Sequence, residues 1–389
     1  MSYITGPAIL RRGGVSFYFQ DGIKLGLKSK TGQVQSDLHG KAIDTFLISR
    51  MGSVSGKPVD AIANLSSFFG LGISNVGESI FKGTSRSLTS ISLATPGVIT
   101  FAAAHNLGPA GTTITGTTAG IAGGVAPAEA NGTLTLTITD ATHATCGIAI
   151  SSAGTGGTFT PDSEPLQIVS KNDAAIYTFE RSGIMKAPPV HLGAGKGFFG
   201  GNVEFAVLGS ATKAATAADY WMSAVSVAFA DATFDETKFR RYRYTAAYGS
   251  TPYDAMRGQD GFDVAIDYST EEIPDDNIGI GDIIFTGVTA SAKFTPSNLT
   301  QAQILTLLKL QDAAALRPGD SISGAGATDL VITGTDATTS FTATLKSAGF
   351  TDADLQYATG KLRAGEIQAV TRRTWSAGTA ASLFTFVAA

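Results

Sequence analysis

Several short stretches carry residue types that could do chemistry. Gly193-Ala194-Gly195-Lys196-Gly197 is a glycine-rich run around a lysine. A phosphate-binding loop needs a glycine five residues ahead of its Gly-Lys pair and a Ser or Thr after the lysine, to cradle phosphate and ligate magnesium. Those places hold Val190 and Gly197, so the run reads as a turn. His143 and Cys146 have ligand-like spacing, yet tetrahedral zinc takes three or four protein ligands. The remaining histidines, His39, His105 and His191, lie far away along the chain. Glu271-Glu272 and Asp275-Asp276 could form a general acid–base pair or hold calcium, but on a hairpin turn they read as a solvated tip. Lys238-Phe239-Arg240-Arg241-Tyr242-Arg243-Tyr244 interleaves basic and aromatic residues, a pattern able to stack on nucleic acid. In an acidic chain it reads instead as an edge strand. No G-x-S-x-G elbow occurs. The sequence therefore predicts no catalytic residues, no cofactor and no metal, and a protein that is not an enzyme.

Composition points away from chemistry and toward packing. The chain has 389 residues, 43% of them hydrophobic, enough for a core in two or three domains. Only 15% are charged, against the usual quarter, and glycine is high at 46. Many strands joined by tight turns, with surfaces neither charged nor greasy, fit that balance. A formal charge of −4 argues against a protein that grips phosphates. The single cysteine, Cys146, excludes an intrachain disulfide. The N-terminus lacks the apolar stretch of a signal peptide, and no apolar run reaches the length of a membrane span. The expectation is synthesis and folding in a cytosol, with no membrane.

The elements that organise the chain are two related stretches, Asp21–Pro58 and Asp260–Pro296. Asp21-Gly22 faces Asp260-Gly261, and in the same alignment Thr31 faces Thr270, Val34 faces Ile273 and Asp37 faces Asp276. One deletion later Asp44 meets Asp282, Ser53 meets Ser291 and Pro58 meets Pro296. A structural unit occurs twice, the kind of repeat that decides a fold reading. In the second copy Phe262, Val264, Ile266 and Tyr268 alternate with Asp263, Ala265 and Asp267, the period of a half-buried strand. The polar runs Ser269–Asn277 and Ser29–His39 read as turns, each returning into a second strand. Such long two-stranded ribbons need partners along their edges. A chain that builds two of them is expected to pair them with other copies of itself.

In chain order, Met1–Gly14 reads as a mobile arm carrying Arg11 and Arg12, either a frayed terminus or an arm that lies on a neighbouring subunit. Thr84–Thr160 is nearly free of charge and has strand runs at Gly97–Ala103, Thr112–Thr117, Leu134–Thr139 and Gly147–Ile150. With Asn131-Gly132 as a tight-turn signal, it reads as a small all-β domain inserted in the first repeat. His191–Leu208 aligns with Leu355–Val370, Gly195-Lys196 meeting Gly360-Lys361. Ala211–Phe229 reads as a closing strand and Asp231–Met256 as the link between halves. Thr300–Leu310 reads as a helix, with Thr300 and Gln303 as a capping box and Arg317-Pro318-Gly319-Asp320 beyond its end. Strands are predicted at Asp329–Thr333, Ser340–Leu345, Leu362–Thr371 and Leu383–Val387. The predicted domains are 1–83 with 164–232, the insert 84–163, and 233–389.

The opening stretch DGIKLGLKSKTGQVQSDLHGKAIDTFLISRMGSVSGKP, and the closing AKFTPSNLTQAQILTLLKLQ with RAGEIQAVTRRTW, resemble the tail tube (major tail) proteins of long-tailed bacteriophages. The resemblance covers both halves and omits the insert. It implies a mainly β fold of tandem sandwich/barrel units, each with a long hairpin and a flanking helix. It also implies a structural virion protein that stacks as rings into a tube conducting DNA. Duplicated members form rings of three chains with pseudo-sixfold symmetry. The implied partners are other copies of the chain, a tape-measure protein, a tail terminator and a distal-tail protein, with DNA passing without tight binding. The implied location is the virion tail. Asp37, Asp44, Asp263, Asp267 and Asp282 are expected at the lumen or between rings. GVITFAAAHNLGPAGTTITG and NGTLTLTITDATHAT resemble the small β-barrel inside ubiquitin-activating enzymes and modules of phage structural proteins. No activity is carried over, and the insert is expected to decorate the tube surface. The alternatives are a single-ring distal-tail or baseplate component, and a carbohydrate- or surface-binding β protein.

Overall fold

The computed structural model describes residues 2–4, 6–13, 15–19, 22–35, 42–59, 77–123, 130–193, 199–208, 222–226, 243–249, 253–275, 279–310, 318, 320, 328–335, 340–358, 361–371, 375–376, 379–380 and 384–388. Among them the chain is mainly β, with one helix, Gln301–Leu307. The first hairpin pairs Ile23–Gln35 with Ala42–Gly56, and the second pairs Phe262–Asp275 with Gly279–Phe294. At about 3.3 Å per residue each reaches roughly 40–50 Å. The polar runs read as turns are mostly strand: Ser29–Gln35 and Ser269–Asp275 stay in the ladder. Cross-strand pairing, which a local pattern does not report, overrides their polarity.

The two hairpins share register. Leu25 faces Val54 in the first, and Val264 faces Ala292 in the second. Both carry β-bulges at matching places, between Lys30 and Thr31 and between Val34 and Gln35 in one, between Ser269 and Thr270 and between Ile273 and Pro274 in the other. A bulge bends a ribbon and sharpens its twist, so both hairpins bend at the same heights. The likeness extends outward. Val203–Leu208 pairs with Met51–Gly56, and Lys361–Val370 with Ser291–Phe294. Arg181–Lys186 then joins Val203–Leu208 as Ser340–Ala358 joins Lys361–Val370. On the opposite edges Ile4 faces Ile23 and Leu192 faces Phe262.

A further sheet in the first half runs Ser223–Ser226, Ala175–Phe179, Leu166–Ser170, Ala8–Arg12, Val15–Phe19. In the second half Arg243–Tyr248, Thr328–Thr335 and the start of Ser340–Ala358 pair in the same antiparallel succession. The expected mobile arm is therefore structural: Ser2–Ile4 and Ala8–Arg12 are strands, and Leu10 and Arg12 are buried. Likewise the expected link holds a sheet strand, Arg243–Tyr248. Ser340–Ala358 runs 19 residues, far past the expected Leu345, because its start pairs with Thr328–Thr335 and Phe384–Ala388 and its end with Lys361–Val370. Residues of both halves share one buried core, among them Phe17, Phe205, Phe262, Phe285 and Phe341.

The insert closes on itself. Arg86–Ile91, Thr158–Pro161, Thr113–Ala119, Gly132–Ile138, His143–Cys146 and Val98–Phe101 pair in succession, and Val98–Phe101 returns to Arg86–Ile91. A closed barrel leaves no edge strand. Its strands alternate, so Ile114, Leu134, Leu136 and Ile138 fill a core of its own while Thr113, Thr115, Thr117, Thr133, Thr135 and Thr137 face out. The expected strand Gly147–Ile150 is not one. The strand is His143–Cys146, and the chain bends at Gly147.

The helix Gln301–Leu307 is shorter than the apolar pattern implied. Thr300 caps it, with Gln303 completing the box: the Gln303 amide donates to Thr300 Oγ1 and the Thr300 amide donates to Gln303 Oε1 at 2.7 Å. Lys309 at φ +51° turns the backbone out of the helix before Leu310. Replacing Thr300 with alanine removes the bond from the Gln303 amide to Oγ1 and is expected to cost about 1 kcal/mol, with serine restoring most of it. Urea unfolding of the two variants checks this. Residues 60–76 of the first half and part of the closing stretch Ala211–Phe229 lie outside the described residues.

Candidate assembly surface

The second hairpin is clad by the first half of the same chain. Val190–Leu192 adds a strand to its Phe262–Val264 edge. On the other edge the Gly77 amide donates to the Phe285 carbonyl at 2.8 Å, the Phe285 amide to the Glu78 carbonyl at 2.8 Å, and the Ile80 amide to the Ile283 carbonyl at 2.9 Å. This is strand addition, in which backbone pairing holds the partner and alternate side chains fill the core. Ile266, Ile283 and Phe285 are fully buried as a result, and Arg181–Lys186 packs along the same face.

Polar side chains pin the seam. Ser79 Oγ donates to Asp282 Oδ1 at 2.6 Å, and Arg181 Nη2 donates to the Gly281 carbonyl at 3.1 Å. Arg181 also lies over the Phe81 ring, 5.1 Å from its centroid. His191 Nδ1 sits 2.5 Å from Asp263 Oδ1. Its Nε2 is buried and has no hydrogen-bond partner among the described residues, which fits the tautomer donating from Nδ1. A side chain at Gly193 would come within 2.6 Å of that Nε2, so the chain needs glycine there.

The five acidic residues singled out in the sequence are dispersed. Asp282 lies in the seam, half-buried. Asp263 and Asp267 are exposed on one face of the hairpin, on the same side of their strand as Glu271. Asp44 stands opposite Val34 in the first hairpin, and Asp37 lies outside the described residues. At the positions equivalent to Asp263 and Asp267, the first hairpin presents exposed Lys24 and Lys28. One hairpin face is thus acidic and its counterpart basic, a contrast carried by the same alignment that sets Asp21 against Asp260.

The remaining sequence candidates do not assemble into a site. His143 binds Asp140 in the turn before its strand, while Cys146 points into the barrel core. Hydrogen bonds from the Thr142 amide and from His143 hold the Asp140 carboxyl down to about 2. Burial raises the Cys146 thiol above its ordinary value. Glu271 and Glu272 are exposed strand residues rather than a turn tip, and Asp276 lies outside the described residues. So do residues 194–198 of the glycine-rich run and 238–242 of the basic–aromatic run, whose Arg243 and Tyr244 open a sheet strand. Among the described residues no three His, Cys, Asp or Glu side chains group closely enough to hold a metal ion.

A second polar cluster joins the barrel to the body, and no sequence signal pointed to it. Glu164 is fully buried where the chain leaves the barrel. It accepts from Arg86 Nη2 at 2.6 Å, Arg86 Nη1 at 3.0 Å, and the Gly13 and Thr84 amides at 2.7 Å each. Arg12 lies alongside, donating to Ser182 Oγ and to the Ser182 and Ile80 carbonyls. Burial opposes the Glu164 charge, but the Arg86 guanidinium, with Arg12 and the Thr84 amide, holds its carboxyl below the usual range. Burial lowers Arg12 to about 10, against the pull of Glu164, and it stays charged at neutral pH. Such a joint fixes the barrel to the body without a shared apolar core.

No protein-family model matches the chain, and no curated protein sequence matches it.

Proposed function

We propose that this chain is a structural subunit of a bacteriophage tail, polymerising as stacked rings of three chains into a tube that conducts DNA. The observation that carries the reading is the duplicated long hairpin, identical in register and bulges, whose second copy is clad along both edges by the first half. A unit built to receive strands along its hairpin, present twice, suits closure into a ring without free edges. The resemblance of the hairpin stretches to tail tube proteins supports the same reading. On it, the partners are further copies of the chain, a tape-measure protein, a tail terminator and a distal-tail protein, and the barrel decorates the outside. The protein acts as a scaffold in the virion tail and not as an enzyme.

Electron microscopy of the concentrated protein, with rotational averaging, tests the reading. Tubes of threefold rings with three external knobs are expected. Discrete single rings would move the assignment to a distal-tail or baseplate component. Particles that bind glycan and never associate would move it to a surface-binding protein. If the exposed face of the second hairpin lines the lumen, Asp267→Lys in assembled virions slows DNA ejection, because added positive charge attracts phosphate. Asp267 suits this test better than Asp263, which is committed to His191. Ejection kinetics equal to wild type would remove the lumen assignment.

A further inference from the structure

The barrel buries one histidine that neither its apolar core nor the hairpin seam accounts for. His105 is 1% exposed, in the loop 102–112 between Val98–Phe101 and Thr113–Ala119. Its ring nitrogens have fixed roles. The Leu107 amide approaches Nδ1 at 3.0 Å, and an amide N–H can only donate, so Nδ1 accepts. The Asp140 carbonyl lies 2.7 Å from Nε2 and can only accept, so Nε2 carries the proton. Only the neutral imidazole satisfies both partners. A proton on Nδ1 would break the Leu107 bond and leave two N–H groups facing each other in a buried place. That bond closes a turn whose middle residue, Asn106, sits at φ +51°, a left-handed conformation uncommon outside glycine.

Charged groups reach the ring from two sides. Arg86, on the strand Arg86–Ile91, donates from Nε to the His105 carbonyl at 2.8 Å and holds Glu164 with its other nitrogens. The turn before His143–Cys146 brings Asp140 and His143, whose side chains bind each other. Val98–Phe101 presents the Phe101 ring, 4.9 Å from the imidazole. Burial pulls the His105 imidazole below its ordinary 6.5; the Asp140 carbonyl opposes this, and Arg86 adds to it.

We propose that His105 is a proton-operated latch on the barrel: mild acid releases the loop 102–112 and takes from Arg86 its carbonyl anchor, while Glu164 still holds the barrel to the body. The sign follows from which state binds the proton. The open loop exposes an imidazole that titrates near 6.5, and the closed loop holds one that titrates lower. The latch is therefore at full strength above 6.5 and weakens as pH falls below 6.5 toward the lower folded value. The Glu164 window lies below 4.5, so the loop opens first. The latch does not depend on how the chain assembles.

Amide hydrogen exchange of the full chain, corrected for intrinsic rates, tests this between about pH 7.5 and about pH 5.5. In wild type, exchange at Leu107 and across 102–112 is expected to rise more than about twofold, with a ceiling of about tenfold for one group titrating a unit above the final pH. The Gly13 and Thr84 amides, held by Glu164, are expected to stay protected. His105→Asn offers Oδ1 in place of Nδ1 and takes up no proton, so its loop should be indifferent to the same change. His143→Gln alters only the exposed neighbour and should respond like wild type. Proton NMR of wild type gives a check that needs no variant: the His105 Cε1–H titration and the shift of the Leu107 amide should share one midpoint below 6.5. A wild-type loop indifferent to pH overturns the latch, as does His105→Asn that responds like wild type or His143→Gln that does not respond. A His105 midpoint at or above 6.5 does the same. Gly13 and Thr84 amides that open together with the loop also overturn it, because acid would then strike the Glu164 joint rather than His105.

Discussion

Glu164→Gln is expected to destabilise the chain by about 3–5 kcal/mol, the cost of leaving a buried charge without its partner. Glutamine keeps the shape but has a single acceptor oxygen, so it can serve only one of the Gly13 and Thr84 amides, which bond different carboxylate oxygens. It removes the negative charge that Arg86 and Arg12 face at close range. The loss is expected in both bodies that meet there, so hydrogen exchange should rise in the barrel near Arg86 and in the sheet around Arg12 together. The pH dependence has a definite sign. The folded Glu164 carboxyl lies below its ordinary value of 4.5, so its contribution is fully present above that pH. It is lost as pH falls below 4.5 and through the lower folded value. Wild type should therefore lose stability through that acid window, and Glu164→Gln should show a shallower slope there. Equal slopes, or a loss under 1 kcal/mol, would remove the joint from the account.

Phe285→Ala is expected to cost about 3–5 kcal/mol, the range for truncating a fully buried aromatic ring. Phe285 is 0% exposed and exchanges backbone hydrogen bonds with the Gly77–Glu78 segment of the other half. The effect should be confined to the shared body core. The barrel fills its interior with its own side chains, so amide exchange in Thr113–Ala119 and Gly132–Ile138 should not change. Urea unfolding followed by exchange measures both. A small loss, or one that spreads into the barrel, would mean that the halves do not share a core. The contrast with Glu164→Gln matters: one substitution strikes the joint between two bodies, the other the seam within one.

Much of the local architecture was legible. Phe262, Val264 and Ile266 alternate with Asp263, Ala265 and Asp267, and the buried and exposed faces follow that alternation. The capping box at Thr300 and Gln303 forms as its spacing dictates. The threonine-rich runs of the insert become barrel strands because alternation sorts their aliphatic residues inward. What misled was polarity taken as a turn at Ser269–Asp275, and chain position taken as a frayed arm at Ser2–Ile4 and Ala8–Arg12. In both cases backbone pairing with a distant strand supplies what side-chain pattern does not. The helix ends at Leu307 although apolar residues continue to Leu310, because the Lys309 backbone turns left-handed.

For the candidate surface the division is similar. The sequence by itself determined the duplication, the alternation of the hairpins, the insert, and the opposite charges at Lys24 and Asp263. These follow from residue types repeating at fixed spacing. The tertiary structure decided that Glu164 is a buried joint, that Asp282 belongs to the seam, and that Ile266 is covered while Leu27 is not. Those outcomes depend on which distant segments meet, and burial is set by the neighbour that arrives, not by the residue that receives it.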